Sequence, residues 1–495
     1  MERSQGDGMI RNGRDIASGS EISAQVCIIG SGPAGITAAW HLQKAGIKVV
    51  LIEGSRHDGQ AEASWPDKAL LYAGEAAGVF ADNEPDFLIR PYENWNSPLE
   101  RERILGGTST HWGGQSRPLD AVDFEARPGF PAWPIARSDL DPYYAAAAKF
   151  CNLHSDDFSG EYWGGVLGDD VPVVADFDVC MYQFIGDSYL NFATRTFPDG
   201  STLADCGVDV ILNASLLDIE QQNGKVTRLC VASMNKDPLP GVATEFFIRA
   251  DAYVLACGAV ANAQRLLLSD IGNEHDQVGR YFMCHPLSSG VSVSVFGPFL
   301  TTSQRNLMDG KYANGAPWKD SNGVTVTGRF QLSADTLRQY NIGNCWMRAS
   351  SAPIYFEMAP NPESRITLLD TKDQVFGQRQ VRIDWTLSSL DQTTYETATR
   401  LFKTSIQPLG GDLQAPSWET MKSAFVVNGH HLGTTRMSSD PHEGVVDADL
   451  KVHSMDNLYV AGASVFVTAG VSNPTFTIVT LSIRLAEHLS HTFGR

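Results

Sequence analysis

With 495 residues, the chain exceeds what one hydrophobic core ordinarily organises, so two domains, interleaved or consecutive, are expected. Its 43% hydrophobic and 19% charged residues, with 45 glycines, are the composition of a globular α/β protein with many tight turns, not of a disordered or fibrous chain. Acidic residues outnumber basic ones by 57 to 38, and a net charge of −19 with no Lys/Arg block disfavours nucleic acid as a partner.

The first twenty residues contain no apolar stretch of signal-peptide type, and no run of about 18 apolar residues could span a bilayer. Eight cysteines are scattered without a CxxC pair, and several, such as Cys27 in VCIIG and Cys257 in YVLACGA, sit in apolar runs. A reducing, cytoplasmic setting without a membrane span is the expectation.

From Ala24 the chain reads AQVCIIG, then SGPAGITAAWHLQKAG at helical spacing, then IKVVLIEGS: strand, turn, helix, strand. A crossover of that length predicts a buried parallel sheet. Gly30, Gly32 and Gly35 form GxGxxG at the strand-to-helix turn. The first glycine permits the turn, the second lets backbone approach a pyrophosphate, and the third lets helix pack on strand. Glu53 ends the second strand 18 residues after Gly35, where a carboxylate can bind both hydroxyls of a ribose. A dinucleotide site is implied, without separating FAD from NAD.

Residues 208–290 return to strand texture, with a hairpin signal at Asn223-Gly224, the apolar run AYVLACGAV and a helical segment ANAQRLLLS. At the end of the chain, NLYVAGASVF predicts strand and turn, and PTFTIVTLSIRLAEHL a long helix. Between these blocks, alternating stretches such as SRITLL and RQVRIDWTL predict an antiparallel, substrate-facing sheet. The expected division is a discontinuous Rossmann-like cofactor domain (20–150, 206–289 and 425–495) interleaved with a substrate domain (151–205 and 290–424).

At ERERILGGTSTHWGGQ, WPIARSDLDPYY, VGRYFMCHP, PNPESRITL and HHLGTTRMSSDP with NLYVAGASVFVTAGVSNPT, the chain resembles the glucose-methanol-choline (GMC) oxidoreductase family, with the blocks in family order. The resemblance implies FAD as cofactor and an alcohol CH–OH as electron donor. It also implies that the histidine of H-x-x-G-T and the asparagine of the final N-P-T face the flavin. The first is His430, because Gly433 and Thr434 complete the block, with His431 the wrong neighbour; the second is Asn473.

The same resemblance runs the segment with Gly106, Gly107, Ser109, His111, Trp112, Gly113 and Gly114 past the flavin, and adds Ala463, Pro474 and Thr475 to the cofactor contacts. Its wording is close to pyranose oxidases, where the histidine equivalent to His111 is bonded to the flavin. The sequence departs from that pattern at Thr108 and Gly113, so non-covalent FAD is favoured. Val210, in VDVILN, falls where such folds rest the adenine on a strand.

Alcohol oxidation needs a neutral base beside the hydroxyl, which an imidazole with a pKa near ~6.5 provides. An asparagine amide can bind the alcohol oxygen and orient its carbon, and Asn473 before Pro474 is also placed to start a helix. His285 and Arg436 read as structural, a loop residue and a helix-end partner. No His/Cys/Asp/Glu cluster has metal-ligand spacing, so no metal is expected, and there is no G-x-S-x-G elbow. The expected partners are a small alcohol, with a sugar or glycoside preferred, and an electron acceptor: oxygen, a quinone or another carrier. A lyase retaining FAD and a non-catalytic flavin-binding protein are the competing functions. The oligomeric state is not readable.

Overall fold

A computed structural model of the chain describes residues 9–54, 87–90, 103–234, 241–288, 291–310, 317–352, 354–373, 375–426 and 429–494. Its centre is a six-stranded, wholly parallel sheet, in the order Met9–Asn12, Asp209–Leu212, Val49–Ile52, Val26–Ile29, Ala252–Leu255, Leu458–Val460. The strands Val26–Ile29, Val49–Ile52 and Ala252–Leu255 are buried along their whole length, as apolar runs without alternation require when both faces are covered.

The expected crossover helix is Pro33–Lys44, with proline in its first turn, where no intrahelical N–H is needed. The C-terminal helix, Pro474–Thr492, packs against it and buries Phe476, Val479, Leu481, Leu485 and Leu489. Burying side chains of this size contributes about 1.5–3 kcal/mol each.

The hairpin expected at Asn223-Gly224 is present. Ser215–Gln222 pairs antiparallel with Lys225–Met234, and both turn residues have positive φ, 52° and 75°, as a two-residue primed turn requires. It belongs to a four-stranded sheet with Val242–Arg249 and Glu21–Ser23.

A seven-stranded antiparallel sheet runs Phe425–Val426, Leu287–Ser288, Tyr355–Phe356, Cys345–Met347, Thr325–Leu332, Phe177–Phe184, Gln115–Ser116. The alternating stretches lie outside this sheet. SRITLL and RQVRIDWTL do form strands, Arg365–Lys372 and Arg379–Asp384, but these pair with each other and with Phe87–Arg90 in a separate three-stranded sheet. Alternation marked half-exposed strands correctly, whereas the strand Phe177–Phe184, paired on both sides, is buried over most of its length and shows little alternation.

Candidate active site

A cavity of about 610 Å³ runs from the C-terminal end of the parallel sheet to the seven-stranded sheet. At its first end lie Gly30, Gly32 and Glu53. Gly30 has a φ of +103°, open only to glycine at low cost. A Cβ on Gly32 would meet no protein atom, so this backbone faces open space that a side chain would fill. Gly35 does not line the cavity; a Cβ there would sit 1.9 Å from the Gly30 carbonyl oxygen, so its role is helix-on-strand packing. Glu53 is buried, and one of its oxygens accepts from the Ser31 N–H at 3.0 Å and the Ser31 hydroxyl at 2.5 Å.

Gly107, His111, Trp112 and Gly113 line the middle of the cavity, as do Ala463, Pro474 and Thr475. His111 Nδ1 lies 3.2 Å from the Thr110 hydroxyl, and the Trp112 indole N–H donates to the Leu190 carbonyl at 2.9 Å. Four of the other expected contacts lie off the wall, Gly114 (φ +65°), against Leu190 and Ile185, among them. Gly106 (φ +95°) is a turn residue against Asn191 and Ala193. Ser109 is buried, donating to the Gly106 carbonyl at 2.6 Å and accepting from the Phe192 N–H at 3.1 Å. Val210 is fully buried between Ile10 and Leu51 in the sheet interior; the wall in this part of the chain is Ala214, Ser215 and Leu216, just after that strand.

The polar end of the cavity brings together residues far apart in sequence. His430 and Asn473 both line it, and Asn473 Nδ2 lies 3.2 Å from His430 Nε2. Asn473 starts the C-terminal helix as expected, yet its side chain makes no capping hydrogen bond and turns to the histidine instead. His431 packs against Phe282.

His285, read from sequence as a structural loop residue, is in contact with His430: the two Nδ1 atoms are 3.0 Å apart. Its Nε2 lies 2.9 Å from the Gly470 carbonyl oxygen. A carbonyl can only accept, so neutral His285 carries its proton on Nε2 and presents Nδ1 as an acceptor. His430 Nδ1 must then supply the hydrogen between the rings, which leaves the His430 lone pair on Nε2, where the Asn473 amide donates. The Tyr355 hydroxyl, 2.6 Å from His430 Nδ1, shares that same N–H through its oxygen, and its ring stacks on His285 at 4.7 Å. Behind them, Glu357 is buried, accepts from the Gly470 N–H at 2.8 Å and lies 3.7 Å from Arg127.

Electrostatics keep the His430 ring neutral. Burial first, then the neighbouring His285 and His431, hold the His430 imidazole well below its ordinary value, and burial pushes His285 down to about 4. Burial also raises the Tyr355 hydroxyl well above its usual range, so it stays protonated. Arg436, the other residue read as structural, packs over the Tyr281 ring at 3.5 Å and donates from Nε to the Glu443 carbonyl at 2.6 Å.

The chain is similar to known families and proteins. Residues 360–482 match the family model described as GMC oxidoreductase, and residues 25–102 that described as FAD dependent oxidoreductase. The chain is 26% identical to 6'''-hydroxyparomomycin C oxidase of Streptomyces lividus, over 94% of this chain and 92% of that one. It is 22% identical to the fructose dehydrogenase large subunit of Gluconobacter japonicus, over 95% and 98%. A formate oxidase structure from Aspergillus oryzae shares the fold at a TM-score of 0.63 and 15% identity, over 97% of this chain and 100% of that one.

Proposed function

We propose that this chain, an FAD-dependent oxidoreductase of the GMC type acting on CH–OH donors, oxidises one hydroxylated carbon of a sugar, glycoside or similar polyhydroxylated metabolite. The observation that carries the reading is the pairing of His430 Nε2 with Asn473 Nδ2, 3.2 Å apart, at the polar end of a cavity whose other end is a dinucleotide cradle. The names of the two long relatives, an oxidase of hydroxyparomomycin and a dehydrogenase of fructose, support a sugar-like donor.

The residues present fit FAD. Gly30, Gly32 and the helix beginning at Pro33 would hold the pyrophosphate, Glu53 the ribose, and Gly107 to Gly113 with Ala463, Pro474 and Thr475 the flavin end. Bound FAD supplies the acceptor for the hydride that leaves the substrate carbon. His430 takes the hydroxyl proton on Nε2, the nitrogen that His285 leaves unprotonated. The Asn473 amide, turned toward that nitrogen, holds the alcohol oxygen beside it and so orients the carbon. His285 and Tyr355 are positioning residues: they fix the ring and its tautomer from the far side. No bond to His111 is part of this reading, and the flavin should leave the protein on acid precipitation. The scattering of the eight cysteines without a CxxC pair supports a reducing compartment, and the interleaved division into cofactor and substrate segments belongs to the same reading.

Titrating the oxygen-free holoprotein with a panel of sugars and glycosides tests this. At least one should bleach the flavin absorbance; bleaching by no alcohol would overturn the reading in favour of a lyase or a binding protein. His430→Ala should keep FAD and slow flavin reduction by about 10²–10⁴-fold; reduction at the native rate would remove the assignment of the base.

A further inference from the structure

The strand that brings Tyr355 to His430 carries a second polar side chain two residues on. Glu357 continues that strand, its N–H donating to the Asn344 carbonyl at 2.8 Å, so alternation puts Tyr355 and Glu357 on one face of the seven-stranded sheet. Tyr355 meets His430 directly at 2.6 Å, whereas Glu357 stops one layer short, accepting from the Gly470 N–H at 2.8 Å. The Gly470 carbonyl oxygen lies 2.9 Å from His285 Nε2, and His285 Nδ1 lies 3.0 Å from His430 Nδ1. One chain of contacts therefore leads from a buried carboxylate to the base.

Glu357 is tied at both oxygens. One accepts from Gly470; the other accepts from the Asn344 N–H at 2.9 Å and lies 3.7 Å from the Arg127 guanidinium. Burial pushes the Glu357 carboxyl up from the usual range, while Arg127 and the two N–H groups pull it back. Arg127 is itself held, donating to the Ile342 carbonyl at 2.6 Å beside the Phe130 ring at 4.5 Å. A buried ion pair of this kind adds little net stability, because desolvation offsets the attraction, so its use lies in what it holds. What it holds is Gly470, at a φ of +57°, where a Cβ would run into Leu119 and the Asp123 carboxyl. In the planar Ala469–Gly470 peptide, the N–H gripped by Glu357 points away from the carbonyl, and the Ala469 and Gly470 carbonyls both bear on His285. On either side, the Thr468 and Ser472 hydroxyls donate to the Asp123 and Pro118 carbonyls at 2.9 and 2.8 Å.

We propose that Glu357 is a positioning residue for alcohol oxidation: by fixing Gly470 it fixes the tautomer of His285, and so keeps the His430 lone pair on Nε2, beside Asn473. Without Glu357 the Gly470 N–H loses its acceptor and the loop turns. His285 is then free to carry its proton on Nδ1, which takes the acceptor away from the His430 Nδ1–H. The His430 proton moves to Nε2, the nitrogen that must be unprotonated to accept the hydroxyl proton. This inference rests on the alcohol-oxidising reading of the same cavity, although the tautomer itself is read without any alcohol.

The test reads tautomer and rate separately, on the holoprotein. Long-range 1H–15N NMR of protein labelled with 15N-histidine, His285 being assigned by its loss in His285→Phe, should show His285 protonated on Nε2. Glu357→Gln leaves one oxygen for two N–H groups and Glu357→Leu leaves none. Both should populate the Nδ1-protonated form and slow flavin reduction at saturating alcohol, by about threefold and about tenfold, with KM changed by less than about twofold. In the His285→Phe background, Glu357→Leu should cost less than about twofold more, because its effect passes through His285. Asp391→Asn is the control: that carboxylate is equally buried and accepts from the Ala359 N–H at 2.8 Å, two residues beyond Glu357, and its loss should lower Tm without moving the tautomer. An unchanged His285 tautomer or a native rate in the folded Glu357 variants would overturn the proposal. So would a full further loss in the His285→Phe background, or an equal tautomer shift in Asp391→Asn. If Glu357→Leu yields no folded protein, the isosteric Gln variant decides by the same readings. Bleaching by no alcohol would overturn the oxidation on which the role rests, while the tautomer would still decide the link from Glu357 to His285.

Discussion

The two large sheets border the same cavity and are built on opposite principles. The parallel sheet is made of short runs buried on both faces, Val26–Ile29 and Val49–Ile52, and offers the cofactor backbone through glycines that have no side chain to spare. The antiparallel sheet buries polar groups around the catalytic end: Tyr355 and Glu357 on its own strands or just beyond, with His285 and Arg127 packed nearby. Each such group costs several kcal/mol unless it is paired, so every one holds a neighbour in a fixed geometry. The first sheet works by excluding atoms, the corner of the second beside His430 by pairing polar groups.

The steric half of that contrast breaks most completely at Gly35. Gly35→Val has no room against the Gly30 carbonyl and should yield little folded, flavin-containing protein, whereas Gly32→Ala, whose Cβ meets no protein atom, should fold and lose flavin because the cradle is filled. Flavin absorbance per chain, read beside the thermal transition, separates the two; a Gly35→Val protein with native Tm and full flavin would refute the steric account.

The hydrogen-bonded half is sharpest at His285. His285→Phe removes the acceptor that fixes the His430 tautomer and should lower kcat by about 10–100-fold with KM little changed. His285→Asn keeps an acceptor near the Nδ1 position and should recover much of that loss. Equal damage by both would mean that the ring acts only as packing.

A smaller effect is expected from pH. Both rings have folded-state values below the ordinary ~6.5 for histidine, so both stay neutral as the pH falls through that value, and the base remains competent. The kcat/KM for flavin reduction should therefore be flat from neutrality to below about pH 6.5 and drop only under it. An acid limb centred at or above that pH would show that a more exposed group is the base.

The smallest change is Val210→Ala. A residue buried between Ile10 and Leu51 should cost about 1–3 kcal/mol of stability and leave flavin affinity unaltered. Weaker flavin binding at unchanged stability would return Val210 to the adenine.

The same division governs what could be read in advance. GSGPAG, the Asn223-Gly224 turn and the Pro474 helix start were legible because strand, turn and cap are decided within a few residues. The seven-stranded sheet was not, because buried strands such as Phe177–Phe184 lose the alternation that marks a strand, while the stretches that do alternate form a smaller sheet elsewhere. His430 and Asn473 were named from the resemblance to the GMC family, with the spacing to Gly433-Thr434 choosing His430 over His431, and the structure places them 3.2 Å apart. For His285 the sole signal was its place in VGRYFMCHP, one of the resembling blocks; for Tyr355 there was none.

What the sequence determined by itself is the dinucleotide cradle and the residue types available to an alcohol-oxidising site, since both follow from local backbone geometry and side-chain chemistry. Only the tertiary structure decided which nitrogen of His430 faces Asn473 and which faces His285 and Tyr355. That depends on a carbonyl at Gly470, a ring at His285 and a hydroxyl at Tyr355 meeting across the fold, and hydrogen-bond direction is a property of neighbours in space that no spacing along the chain encodes.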